Sequence, residues 1–267
     1  MNINDKMQYI KKNDVEYLSY QKLNDLGVVN AFTLRGLNFR NKEGLEQEYQ
    51  KLFDALGVEY RYLVKPLAKH TDNVLIIDQK AKEDTADIHL DYLEGIDGLI
   101  TAKKNIALAT TSADCLCMIL YDPVKKVLAN VHSGWKGTFQ KISQKALIKM
   151  EENFHCEPKD VQVFFMPAIR QCHFEVEDDV MLECRKIFEY TQRIEEIIQV
   201  GRTVNGIQKY QIDNILINKI LLEERGVLAE NIYDSEICSV CCSNKVNSKR
   251  AQGEEFEIAT TIAMMKG

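Results

Sequence analysis

Proline is scarce in this chain, with four in 267 residues. Each falls near a predicted element boundary, and no Pro/Ser linker, repeat or low-complexity tract divides the sequence. Residues 1–267 are therefore expected to form one domain. Histidine is also scarce: five residues are too few for a full multicopper centre. No apolar run approaches the ~20 residues a membrane helix needs. Met1 to Lys12 is polar and charged, without the apolar core of a secretory signal. There is no excess of positive charge, with 34 Lys and Arg against 40 Asp and Glu and a net charge of −6. No Lys/Arg run stands out either, so the chain does not read as a nucleic-acid binder. The eight cysteines are read as thiols, ligands or core residues of a reduced cytoplasmic protein, a monomer or homodimer, rather than as disulfides.

The periodicity of what is present predicts alternating elements. Leu45, Tyr49, Leu52, Phe53 and Leu56 share one face of a helix over Glu43 to Leu56. Tyr62 to Val64, Asn73 to Ile77, Ile106 to Thr111, Cys117 to Tyr121, Val127 to His132, Val161 to Phe165 and Ile258 to Met264 read as strands, with a turn at Asp122-Pro123. Thr138 is expected to cap a helix carrying Phe139, Ile142, Ala146 and Met150, and Glu177 to Tyr190 and Ile212 to Arg225 read as amphipathic helices. The interleaving has no strict βαβ rhythm, which predicts mixed sheets with helices outside.

His70, Cys115 and His132 stand in sharply drawn surroundings: Lys69-His70-Thr71, Ala113-Asp114-Cys115 and His132-Ser133-Gly134-Trp135-Lys136-Gly137. Two imidazoles and a thiolate form a three-ligand set for a borderline-soft metal such as zinc, leaving a position open as catalytic sites do. Taken singly, Cys115 reads as a buried thiol and His132 as a core histidine. Together with Asp114 and the following glycines they point to chemistry. The glycines of 134–137 let backbone approach a ligand, and Lys136 at a helix start suits an anion. Cys172 and His173, in a loop after a buried strand, are possible further ligands or substrate contacts. Cys238, Cys241 and Cys242 have metal-like spacing without a matching second cluster and are read as core thiols. Cys117 is also read as core, and His89 and His155 as solvated.

These motifs resemble the YfiH family of laccase-domain proteins, also called multicopper polyphenol oxidases, purine nucleoside phosphorylases and peptidoglycan editing factors. The resemblance runs from about Phe32 to Ile262. It is carried by His70-Thr71-Asp72-Asn73-Val74, Asp97-Gly98-Leu99-Ile100-Thr101, Ala113-Asp114-Cys115 and His132-Ser133-Gly134-Trp135-Lys136-Gly137. It implies an α/β fold with a layered α/β/β/α sandwich of mixed sheets, and zinc on His70, Cys115 and His132. It also implies phosphorolysis of adenosine, guanosine, inosine or methylthioadenosine, and deamination of adenosine. From the residues themselves, with Asp114 the nearest carboxyl group in sequence, Asp114, Cys115 and His132 are the expected catalytic residues. Arg35, Lys136, Cys172, His173 and Arg250 are the expected contacts to nucleoside and phosphate. The pattern is altered at Arg35-Gly36-Leu37-Asn38-Phe39, at Ala68-Lys69, at Trp135-Lys136 and at Ser248-Lys249-Arg250. The competing readings are a copper-dependent phenol oxidase, a metal-free hydrolase using Cys115 and His132, and a binding protein whose zinc is structural. In the last case Cys172 is the residue to inspect as a fourth ligand.

Overall fold

The structure is a computed structural model that describes residues 5–40, 43–77 and 93–267, with the backbone alone of 88–89. The expected solvation of the His89 side chain lies outside the described residues. Two mixed sheets lie face to face. The first runs in the order Gln8–Lys12, Val15–Ser19, Val28–Thr33, Ala259–Met265, Ile106–Ser112, Tyr62–Val64, Ile88–His89. The second runs Ile232–Asp234, Gln162–Phe165, Leu116–Asp122, Val127–Ser133, Gly98–Thr101, Val74–Ile76.

Strict alternation along the central strands builds the layers, because successive strand side chains point to opposite faces. In Leu116–Asp122, Cys117, Ile119 and Tyr121 face the core between the sheets, with Leu18, Phe32 and Leu108 from the first sheet. Leu116, Met118 and Leu120 face outward onto Ile142, Ala146 and Met150 of helix Ile142–Phe154 and Ile215 and Leu222 of helix Asn214–Glu224. On the far side, Ala107, Ala109, Ile262 and Met264 meet Tyr49, Leu52 and Phe53 of helix Leu45–Leu56. Helix, sheet, sheet and helix thus stack as the sequence predicts. Each such buried large side chain contributes about 1.5–3 kcal/mol relative to exposure. Asn130 joins the two sheets. Its amide donates to the carbonyls of Leu108 and Thr261, both at 2.9 Å, and its oxygen accepts from Thr110 Oγ1 at 2.7 Å.

Most predicted elements recur with ends moved by one or two residues. One boundary is corrected. Thr138 does not cap the long helix: it lies inside the short helix Trp135–Phe139, and Ile142–Phe154 begins only after Lys141, at φ +62°. The Thr138 hydroxyl instead bonds Ser133 Oγ at 2.9 Å and accepts from Asn218 Nδ2 at 3.2 Å, tying the strand end to helix Asn214–Glu224. A third, small sheet (Glu175–Val176, Ile207–Ile212, Ile198–Val204) was not foreseen. Its hairpin turns on Asn205-Gly206, both at positive φ (+51° and +81°), which is the conformation a two-residue turn of this hand requires.

Candidate active site and metal centre

The rims of two strands and one loop bring His70, Cys115 and His132 together. Their ligand atoms lie within 4.8 Å of one another. Cys115 Sγ is 3.8 Å from His70 Nε2, and the two imidazole rings meet edge to face at 5.2 Å. His132 comes from the buried strand Val127–Ser133, Cys115 immediately precedes Leu116–Asp122, and His70 sits on a loop at φ +60°. His70 is exposed, Cys115 half-buried and His132 buried.

Asp97 organises this group. Its carboxylate is fully buried and accepts five hydrogen bonds. Oδ1 takes His132 Nδ1 at 2.8 Å and the His70 amide at 3.0 Å. Oδ2 takes the amides of Lys69 (3.1 Å) and Thr71 (3.0 Å) and the Thr71 hydroxyl (2.9 Å). One carboxylate therefore fixes both histidines: His70 through its backbone, and His132 through the ring nitrogen remote from the cluster, as outer partners of metal-binding histidines do. Burial alone would raise the Asp97 pKa; the bonds from His132 and the loop amides outweigh it and hold the carboxyl at about 2. Burial likewise opposes ionisation of Cys115, yet His132 and His70 bring that thiol down to about 6. For His132 burial favours the neutral ring, while Asp97 and Cys115 raise its pKa well above the ordinary value. The sequence reading assigned Asp97 no role. The signal was present, as an acidic residue directly before a buried strand has to be paired.

Gly134 and Gly137 make room for the His70 loop. A Cβ at Gly134 would lie 2.5 Å from His70 Cδ2 and 3.2 Å from Cys115 Sγ, and one at Gly137 would lie 2.9 Å from the Thr71 carbonyl oxygen. A donor set of two imidazoles and one ionisable thiol, closed on one side by a glycine that admits no side chain, suits a zinc-type ion with one face accessible.

Cys115 opens onto a cleft of about 520 Å³ whose wall includes Asp114, Trp135, Phe174, Asn214, Lys249 and Arg250. Asp114, at φ +88°, accepts Ser239 Oγ at 2.6 Å on one oxygen and the Arg250 amide at 2.7 Å on the other. Its carbonyl accepts the Ile169 amide at 2.7 Å. Arg250 extends to the carbonyls of His173 (3.1 Å) and Glu175 (3.3 Å). Asn214 is buried with a side-chain oxygen that has no hydrogen-bond partner. Among the predicted anion contacts only Arg250 lines this cleft. Lys136 is exposed, with Nζ 5.5 Å above the Trp135 ring, and Arg35 reaches the Ser243 carbonyl and Glu257. Asn214 lies in no distinctive local pattern, and Lys249 was noted only as the altered position of Ser248-Lys249-Arg250, with no role assigned to either.

Cys172 and His173 join a second group with Cys238 and Cys241. The core-thiol reading is corrected for Cys241, which is exposed, and for Cys238, which is buried but in contact with Cys172 and His173; Cys242 is half-buried against the core. Cys117 is buried between the sheets and His155 is exposed, as expected. All eight cysteines are free, and no helix of the described residues is long and apolar enough to cross a membrane.

A layered α/β/β/α fold with a two-histidine, one-cysteine group at its rim defines a laccase-domain protein, and the chain belongs to that family: residues 20–265 match the multi-copper polyphenol oxidoreductase laccase family. Among curated relatives, the chain is 26% identical over 231 residues to the purine nucleoside phosphorylase YlmD of Bacillus subtilis, covering 86% of this chain and 81% of that one. It is 31% identical over 198 residues to the adenosine deaminase RL5 of an unknown prokaryote, covering 74% and 73% respectively. Among solved structures, the YfiH protein of Bacillus licheniformis superposes with a TM-score of 0.86 at 22% identity, covering 98% of this chain and all of that one, and so shares its fold.

Proposed function

We propose that the chain is a zinc-dependent purine nucleoside enzyme that cleaves adenosine, guanosine, inosine or methylthioadenosine with phosphate and deaminates adenosine. The observation that carries this reading is the opening of Cys115, one of three converging donors, onto a nucleoside-sized cleft with aromatic and cationic walls. Such mixed apolar and polar lining is what small-molecule sites use. The relatives named as phosphorylase and deaminase support the same substrate class. His70 Nε2, Cys115 Sγ and the ring nitrogen of His132 not held by Asp97 would hold the metal. Zinc, when bound there, supplies Lewis acidity at neutral pH without redox chemistry.

The chain's own residues do the rest. Trp135 and Phe174 flank the purine, and the unpaired Asn214 oxygen accepts from an amine or ring N–H on its edge. Lys249 and Arg250 hold phosphate beside the ribose, so that it reaches C1′ as the purine departs from an oxocarbenium-like state. Deamination requires water to add at C6 and a carboxyl group to pass protons to the departing ammonia. The Asp114 carboxylate is held on one oxygen by Ser239 Oγ and on the other by the Arg250 amide. Asp114 therefore fixes the turn before Cys115, while Glu254 on the same wall, with no side-chain partner among the described residues, handles the proton.

The test is product analysis of the zinc-loaded full chain with each nucleoside, with and without phosphate. Free base appearing only with phosphate, and inosine appearing from adenosine without it, are expected. No turnover of any of the four nucleosides would overturn the reading. The donor set also suits copper, which keeps phenol oxidation as a second reading. Oxygen uptake with a phenol by the copper-loaded chain, combined with inert nucleosides, would establish it instead.

A further inference from the structure

The second side-chain group lies outside the metal centre described above and has the dimensions of a closed metal site. A tetrahedral zinc ion with bonds of about 2.3 Å to sulfur and about 2.05 Å to nitrogen places its sulfurs about 3.8 Å apart and each sulfur about 3.5 Å from the nitrogen. Cys172 Sγ lies 3.7 Å from Cys238 Sγ and 4.0 Å from Cys241 Sγ. His173 Nδ1 lies 3.2 Å from Cys172, 3.6 Å from Cys238 and 3.5 Å from Cys241. These are five of the six edges of one tetrahedron, the sixth, between Cys238 and Cys241, being within 4.8 Å, and they are too short for four donors spread around a multi-iron cluster. We propose that Cys172, His173, Cys238 and Cys241 form a second, structural zinc site.

The sequence logic agrees once the fold is known. Cys238-x-x-Cys241 supplies two ligands from a tight turn, where the Cys242 amide donates to the Cys238 carbonyl at 3.0 Å. The adjacent pair Cys172-His173 supplies the other two from a loop 66 residues earlier than Cys238. Four protein donors leave no open position, which marks a structural ion rather than a catalytic one. Cys172 and Cys241 are exposed, so an entry path exists, while Cys238 is buried.

The site staples together two segments that shape the cleft. Beside the cluster they are already joined by Ser239 N to the Ala168 carbonyl at 3.0 Å, by Ala168 N to the Ile237 carbonyl at 3.3 Å and by the Arg170–Asp234 ion pair at 2.7 Å. One segment carries Ile169 and Phe174 to the cleft wall. The other carries Ser239, which holds Asp114. His173 also anchors Arg250 through its carbonyl. The second ion thus fixes the walls of the first site without touching the substrate.

The test is zinc content by mass spectrometry of the full chain and three variants, purified with zinc present. Wild type is expected to hold two zinc ions per chain, Cys115→Ser one, Cys241→Ser one, and the double variant none. The cobalt-loaded Cys115→Ser protein, with the second cluster intact, is expected to show sulfur-to-cobalt charge transfer and tetrahedral d–d absorption. It needs no change at the second cluster, so misfolding of Cys241→Ser cannot confuse the result. One zinc that survives Cys115→Ser and vanishes in Cys241→Ser would support this site while contradicting the metal assignment in the cleft. A metal content unaffected by Cys241→Ser, copper or iron in place of zinc, or a disulfide among Cys172, Cys238 and Cys241 would overturn the proposal.

Discussion

Replacing Asp97 by Asn probes the geometry on which both histidines depend. Five donors converge on two carboxylate oxygens, and an amide offers only one oxygen. If the amide nitrogen replaces Oδ1, His132 Nδ1 and the His70 amide lose their acceptor; if it replaces Oδ2, the Lys69 and Thr71 amides lose theirs, while the Thr71 hydroxyl keeps the Gly95 carbonyl. Each buried donor left unpaired costs about 1–3 kcal/mol. With partial relaxation, about 3 kcal/mol of stability is expected to be lost, roughly two powers of ten in the folding constant. Loss of an outer partner also weakens metal binding by about 10–100-fold. Denaturant titration of the metal-free protein reads the first effect, and competition with a chromophoric chelator reads the second. Metal affinity within twofold of wild type, together with an unfolding free energy changed by less than about 0.5 kcal/mol, would refute the role given to Asp97.

Four further outcomes follow from the same geometry. The Asp97 carboxyl, lowered to about 2, stabilises the metal-free fold above its unfolded pKa of about 3.9, and that contribution disappears as pH falls through 2; Asp97→Asn should flatten the acid limb of the unfolding curve. Cys115, at about 6, should be alkylated in metal-free protein at a rate rising through pH 6, with zinc protecting it, as peptide mapping would show. Gly134→Ala drives a methyl group against His70 and Cys115 and should reduce metal affinity at least about tenfold while leaving the circular dichroism of the fold intact. Leu52→Ala, in the fully buried helix–sheet layer, should cost about 2–5 kcal/mol in denaturant melts without changing metal affinity.

The layers were legible in the sequence because buried strands and amphipathic helices announce themselves by period. Leu116 to Tyr121 and Leu45 to Leu56 are long enough for that signal to dominate. The first three strands were missed. Val28–Thr33 carries the buried Asn30, whose amide bonds Tyr20 and Asn24, and such a polar residue breaks an apolar run. The hairpin over 198–212 was missed although Asn205-Gly206 is a turn signal, because its strands are exposed and lack a clean alternation. At the site, the three donors were found through their local motifs. Asp97 had a local signal as an acidic residue before a buried strand, but the donors it serves, and the cleft that Asn214 and Lys249 line, are assembled from residues distant in the chain. Cys172-His173 and Cys238-x-x-Cys241 were each weak signals alone, and only the Ala168–Cys238 bridge between their segments puts them in one place.

Diffraction at the zinc absorption edge tests the central claim most directly. Crystals of the zinc-loaded chain should show an anomalous peak within about 2.0–2.3 Å of His70, Cys115 and His132, absent at energies below the edge. Ordered His70, Cys115 and His132 side chains with no anomalous density between them at full zinc loading would contradict it.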